Sequence, residues 1–285
     1  MKKVFYFLIF AVAAFTSCTK DIDVNVPDYT QKLVVEGGIE PGSNPYVYLS
    51  WTLPYFGNND YSDFQQYMVK GAVVTVSDGF TTDTLKEVIP GQGLYYLGLN
   101  MQGVTGRTYD LNILINGKTY TSSTTINLPV PLDSLWFKPE KDSLGFVWTH
   151  FKEPAGLGHR YRWYAKRIGK DDSFYAPFSS VFDDKFIDGK EFDFAYDRGM
   201  KPNSEEEDDK NVEKGYFKVG DTVVVKYCTI GDKEFRYLRS YYLNQMSNGN
   251  PFAAPSTLES NISGDAIGLW CGYGVFTKGV RLKMP

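Results

Sequence analysis

The sequence predicts a mainly β protein made of two antiparallel β-sandwiches, with a single α-helix packed on the second. Three observations lead there. Short runs rich in β-branched and aromatic residues, such as KLVVEGGI and NPYVYLSW, recur between Gly, Pro and Asn punctuation. Asn116-Gly117 joins two such runs and is the dipeptide that accepts positive φ at both centres of a type I′ hairpin. Helical periodicity is convincing in one stretch, from Asp232 to Ser247. Strands at this short spacing, with turn signals between them, are the pattern of immunoglobulin-like and fibronectin-like sandwiches.

The first residues read as a processing signal. Lys2 and Lys3 give a positive start, and Val4 to Phe15 form an unbroken apolar run. That run is shorter than the roughly 20 apolar residues a helix needs to cross a bilayer. With the small residues Thr16 and Ser17 before a break, it has the form of a secretory signal peptide. Cys18 then stands where the bacterial lipobox has its acylated cysteine, although Phe15 replaces the usual Leu-like residue of that motif. Residues 1–17 are thus expected to be removed, Cys18 to carry the lipid, and residues 18–31 to serve as a polar tether. Losing Lys2 and Lys3 takes the formal charge from −4 to −6. An acidic surface gives no electrostatic reason to expect nucleic acid or anionic lipid as a partner. Attachment would come from buried acyl methylenes, so the mature protein should rest on a membrane without spanning it.

Residues 32–128 hold the first sandwich. In NPYVYLSW, Val47, Leu49 and Trp51 alternate with Tyr46, Tyr48 and Ser50, the period of a half-buried strand. GAVVTVSDG ends in a Ser-Asp-Gly turn, and TTDTLKEV pairs back onto it. Pro129 and Pro131 deny ladder donors and mark a boundary, so the second sandwich is placed at residues 134–285. Between HRYRWYAKRI and DTVVVKYCTI lies a long insertion, 171–220, with the acidic run SEEEDDK as a solvated loop. Within it, FDDKFIDGKEFDFAYD alternates acidic and aromatic residues as an exposed hairpin turning at Asp188-Gly189 would; a calcium loop is the weaker reading, since the spacing is not that of an EF-hand. In the helix, Asp232 can cap, Glu234 lies in the first turn, and Phe235, Leu238, Tyr242 and Met246 fall near one face before Gly249 and Pro251 stop it.

No catalytic constellation emerges from the spacing. A zinc site needs three or four converging ligands, and the two histidines, His150 and His159, have no partner at ligand spacing; no metal and no cofactor is expected. Neither Cys228 nor Cys271 lies near a histidine in sequence, and no Gly-x-Ser-x-Gly elbow occurs. An exported compartment permits a Cys228–Cys271 disulfide, and two buried thiols fit equally well. GLWCGYG does not open a helix after a strand, so it is no phosphate cradle. Carboxylates are plentiful at Asp183, Asp184, Asp188, Glu191, Asp193 and Asp197, but glycosidase chemistry depends on a defined separation across a cleft. Aromatic residues make up 16% of the chain, enough to serve both cores and binding faces. The candidate ligand-binding residues are Trp51, Tyr55, Phe56 and Tyr61, in a long inter-strand loop where a sugar or peptide could stack. RYRWYAKR, at 160–167, reads as a strand with one buried face.

The ordered set KLVVEGGI…PYVYLSW, GAVVTVSDG, GRTYDLNILINGKTY, FDDKFIDGKEF and NPFAAPSTLESNISG resembles the Bacteroidota lipoproteins grouped as domain of unknown function 4249, over residues 30–280. GLWCGYGVF matches the Gly-rich aromatic end of that family, with Trp270 and Cys271 atypical. The resemblance implies an outer-membrane lipoprotein found with TonB-dependent receptors, acting in nutrient capture as a non-enzymatic accessory with a glycan or peptide ligand. It supplies no catalytic residues. It also gives Lys20, Asp21 and Asp23 a meaning, because an acidic cluster after the lipidated cysteine resembles the signal that sends such lipoproteins to the cell exterior. Ile22 interrupts that cluster. A structural or adhesive surface protein with immunoglobulin-like modules is the second reading.

Overall fold

Positive φ at Asn116 (50°) and Gly117 (73°) closes the turn that the sequence predicts. The computed structural model containing it describes residues 29–54, 61–199, 201, 215–247 and 257–284. Cys18, Lys20, Asp21, Asp23, Tyr55 and Phe56 lie outside these residues, as do the SEEEDDK run and the helix-stopping Gly249 and Pro251.

The first half contains β1 (Leu33–Ile39), β2 (Tyr46–Trp51), β3 (Val73–Ser77), β4 (Thr82–Glu87), β5 (Tyr95–Leu97), β6 (Thr108–Ile115) and β7 (Lys118–Thr125). The second contains β8 (Ser134–Lys141), β9 (Leu144–Lys152), β10 (Arg160–Arg167), β11 (Val181–Asp183), β12 (Glu191–Tyr196), β13 (Phe217–Lys218), β14 (Thr222–Thr229), the helix α1 (Asp232–Ser247), β15 (Ile267–Gly272) and β16 (Gly274–Arg281). β6 and β7 alternate buried and exposed residues along their length, the signature of strands with one face on a core. Among the described residues no helix is long and apolar enough to cross a membrane.

Seven N-terminal strands and β15 form one path, β15-β1-β2-β5-β4-β3-β6-β7. β15 runs parallel to β1, with Val34 opposite Ile267 and Ile39 opposite Gly272. The path curls until its two ends face each other. The Trp270 indole N–H donates to the Tyr109 carbonyl at 3.0 Å, and the Gly272 N–H donates to Thr124 Oγ1 at 2.8 Å. Leu33, Val47, Leu49, Val74, Leu111 and Trp270 belong to the apolar cluster enclosed this way.

In the second half, the sheet β11-β10-β14-β16 packs on the sheet in which β9 pairs with β8, β12 and β13. Aromatic rings fill the space between them. Tyr161 stacks on Tyr227 with centroids 5.1 Å apart, and Phe151 meets both edge-on at 5.3 Å. A third cluster lies under α1, where Phe235, Leu238 and Tyr242 pack with Cys228, Cys271 and Tyr273. Both cysteines are free and buried. Burial pushes the Cys228 thiol up to about 12 and the Cys271 thiol well above its ordinary value, which leaves neither reactive.

Two expectations need correction. The boundary at residue 134 separates the sequence but not the fold, because β15 belongs to the first sheet while β16, one residue later, belongs to the second. FDDKFIDGKEF is no hairpin. β11 pairs with β10 and β12 pairs with β9, so residues 184–190 cross from one sheet to the other. Glu234 stands in the first turn of α1 as expected, and there it is buried and accepts the Thr124 hydroxyl at 2.6 Å.

The close approach of β15 to β1 requires glycine. Gly268 has φ 148°, and a Cβ there would stand 1.9 Å from the Val35 carbonyl oxygen. Gly279, on β16, has no atom closer than 3.8 Å to the same added group. Gly268→Ala is therefore expected to cost about 2 kcal/mol or more and Gly279→Ala less than about 0.5, read by urea unfolding. Equal effects would contradict the close-approach account.

Candidate functional site

One groove in this molecule combines an apolar floor, an exposed apolar rim and a few charged groups. Its volume is about 630 Å³, and it lies between α1 and the β11–β12 crossover. Helical spacing aims Phe235, Arg239, Tyr242, Leu243 and Met246 toward it from one side. Phe182, Phe192, Phe194 and Tyr196 line it from the other, the side chains that FDDKFIDGKEFDFAY turns to the inside. The rim is exposed: Phe186 is 77% accessible, Met246 67%, Phe178 59% and Leu243 50%. Phe178 meets Tyr242 edge-on at 5.4 Å. A contiguous exposed apolar surface of this kind marks a binding site more often than packing.

The acids of the crossover hold its shape. Asp184 Oδ2 accepts the Gly158 and His159 N–H groups at 2.6 and 2.7 Å, and Oδ1 accepts Arg160 Nη1 at 3.2 Å. Asp188 Oδ1 accepts the Gly156 N–H at 2.6 Å. The Ile187 and Asp188 N–H groups both bond the Asp184 carbonyl at 2.9 Å, which makes a single helical turn. Two aspartates four residues apart thus clamp the 154–159 loop against the crossover and set the groove wall.

Beside the clamp, Glu153 Oε1 bonds His159 Nδ1 at 2.8 Å, and the same nitrogen lies 3.6 Å from Asp184 Oδ2. Among the described residues Glu153, His159 and Asp184 are the group with cation-ligating atoms close together, all within 4.8 Å. The donor set does not suit a cation: Asp184 already takes three N–H donors, one of them a guanidinium. His150 bonds Asp193 through Nδ1 at 2.7 Å, and this contact raises its pKa. Each histidine therefore has a carboxylate partner: Glu153 is six residues from His159, whereas Asp193 is 43 residues from His150 and reaches it only through the β9–β12 register. Glu191 pairs with Lys152 at 2.7 Å. These acids are each committed to a local partner, and they do not form an opposed pair across the groove.

Of the residues expected to bind ligand, Trp51 is partly buried and packs against the first apolar cluster. Tyr61 begins the 3-10 turn Tyr61–Tyr67, with its side chain outside the described residues. Trp51 is not among the residues that line the groove, and Tyr55 and Phe56 lie outside the described residues. A polar groove of about 680 Å³ lies on the other side of α1, lined by outward residues of β6 and β7 and by 259–263. There Asn261 caps the edge of β15, donating to the Trp270 carbonyl at 2.8 Å and accepting its N–H at 2.9 Å. Ser263 bonds Thr121 in both directions, at 2.8 and 2.7 Å. The NIS segment thus covers an otherwise open strand edge.

Glu153 is fully enclosed, and its Oε2 and the buried Tyr161 hydroxyl lack a well-formed hydrogen bond. Burial raises the Glu153 carboxyl above its ordinary value, opposed by the Tyr161 hydroxyl and by His159. A raised folded-state pKa gives stability that is complete below the unfolded value, near about 4.3, and is lost as pH rises through the folded value. Glu153→Gln removes that titration. The variant should gain on the parent as pH rises from about 4 to 7, measured by urea unfolding at each pH. A gap that stays constant or shrinks would contradict this reading.

The comparisons with known proteins bear on family. Chicken tenascin offers one similar solved structure, a two fibronectin type-III domain segment, at 10% identity and TM-score 0.22 over 71% of this chain and 92% of that one. A superposition that loose carries no argument. No curated protein matches. A family model described as Domain of unknown function (DUF4249) matches residues 19–279, from just after Cys18 to near the end of β16. That span takes in strands of all three sheets, the crossover and the strand that joins the halves, and the chain belongs to this family.

Proposed function

We propose that this protein is a lipid-anchored outer-membrane accessory of a TonB-dependent receptor, held at Cys18, facing the cell exterior through the Lys20-Asp21-Asp23 signal, and capturing a ligand for uptake without chemistry of its own. In this reading the two halves are immunoglobulin-like sandwich modules, and the apolar groove between α1 and the crossover is the capture site. The groove is the observation that carries the proposal. It is open, aromatic and of the size of a ligand site. Asp184, Asp188 and Glu191 beside it are committed to clamping and local pairing, and Asp183, the acid that lines it, faces no second carboxylate among the lining residues, which favours binding over hydrolysis. Display on a rigid β scaffold suits a protein that must present one surface to a partner while tethered by its N-terminus.

Extraction of native membranes with a gentle detergent tests this directly. The protein should co-purify with a receptor of the TonB-dependent class, and Cys18→Ser should release it from the membrane fraction. Recovery alone, or a Cys18→Ser form that stays membrane-bound, would overturn the reading.

A further inference from the structure

The charges in the groove narrow what it can hold. Lys185 and Arg239 both line it, and neither has a carboxylate within ion-pair distance among the described residues. The Lys185 ammonium lies 5.4 Å from the Phe186 ring centroid, held over an apolar rim. Asp183 is the one acid among the lining residues, and it sits opposite Arg160 in the β10–β11 register. The chain carries more acids than bases, 34 against 30, so two unpaired cations beside an aromatic floor stand out from the surface around them. An unpaired cation at the edge of an apolar cleft favours a ligand that brings its own anion and buries its carbon skeleton.

We propose that the groove binds a small amphiphile with an alkyl or flat aromatic body and a single carboxylate. The body lies on Phe182, Phe194 and Tyr196, under Leu243 and Met246. The carboxylate reaches the mouth, where Arg239 takes it in a charge-assisted contact and Lys185 adds attraction. A neutral glycan fits less well, because the floor offers rings but few hydroxyl or amide partners. The inference rests on the proposal that this groove is the capture site.

The test uses the unit Gln31–Pro285, which contains all three apolar clusters and so has its own complete cores. Dodecanoate, dodecyl maltoside and dodecyltrimethylammonium are titrated calorimetrically below their micellar concentrations. Dodecanoate should saturate one site per chain. Arg239→Ala should weaken it about tenfold, and Leu243→Asp by at least as much. Both side chains are exposed, so both variants should keep the parent's circular dichroism and unfolding midpoint. The trimethylammonium analogue should bind at least about tenfold more weakly than the carboxylate. Absent dodecanoate binding, equal affinity for all three head groups, or binding that survives Leu243→Asp would each overturn the proposal. So would Leu243→Asp abolishing receptor co-purification without any carboxylate binding, since the rim would then be a protein-docking face. Loss of receptor co-purification with dodecanoate binding intact would instead remove the accessory reading and leave the ligand class standing.

Discussion

The structure depends on one nearly continuous strand. Residues Ile267–Gly272 pair in parallel with β1, and Gly274–Arg281 pair antiparallel with β14, separated only by Tyr273. A chain that changes sheets within one residue must pass close to other backbone, and glycine is what permits it. A Cβ at Gly272 would lie 2.7 Å from the Thr125 carbonyl group, and one at Gly274 would lie 2.2 Å from the Asn127 oxygen. Across the ladder, Gly37 and Gly38 make room for the Trp270 and Tyr273 rings, each of which would stand 2.9 Å from an added Cβ. The pattern GLWCGYG is therefore a packing requirement, with small residues wherever two backbones meet and large ones wherever a core must be filled.

Charged groups at this junction are buried in ways that only a fixed geometry tolerates. Lys226 bonds Glu40 at 2.7 Å across the two halves and lies 4.7 Å from the Tyr164 ring centroid. Arg162 is held over the same ring at 4.7 Å and donates to the Tyr273 hydroxyl at 3.3 Å. Burial pushes that hydroxyl well above its ordinary pKa, so it stays neutral and accepts. Below it, Thr124 links the helix to the strand by donating to Glu234 and accepting from Gly272. Removing one partner from such a set leaves another desolvated, which is costly. These contacts fix α1, and α1 forms one wall of the groove.

What sequence could reveal was what is local. The Asn116-Gly117 hairpin, the β3–β4 pairing and the helix from Asp232 to Ser247 each follow from chemistry within a few residues, and each formed as expected. The parallel pairing of Val34 with Ile267 links residues far apart in the chain, and no short-range signal encodes it. The same is true of His150 with Asp193. The crossover failed for a subtler reason. Alternating acids and aromatics around Asp188-Gly189 satisfy a hairpin pattern, yet Asp184 and Asp188 use their carboxylates to pin another loop, which forces the flanking strands into different sheets. The groove was invisible for the same cause: its two walls, Ser179–Tyr196 and Phe235–Met246, come from separate parts of the chain and meet only through tertiary packing.

The central claim is that the strand from Ile267 to Arg281 makes both halves one cooperative unit. Hydrogen exchange followed through a urea series tests this most directly, because it reads each ladder separately. Amides of β1 and β6 in the first half and of β9 and β14 in the second should lose protection at one common midpoint. Two resolved midpoints, with one half still protected after the other has opened, would contradict the account.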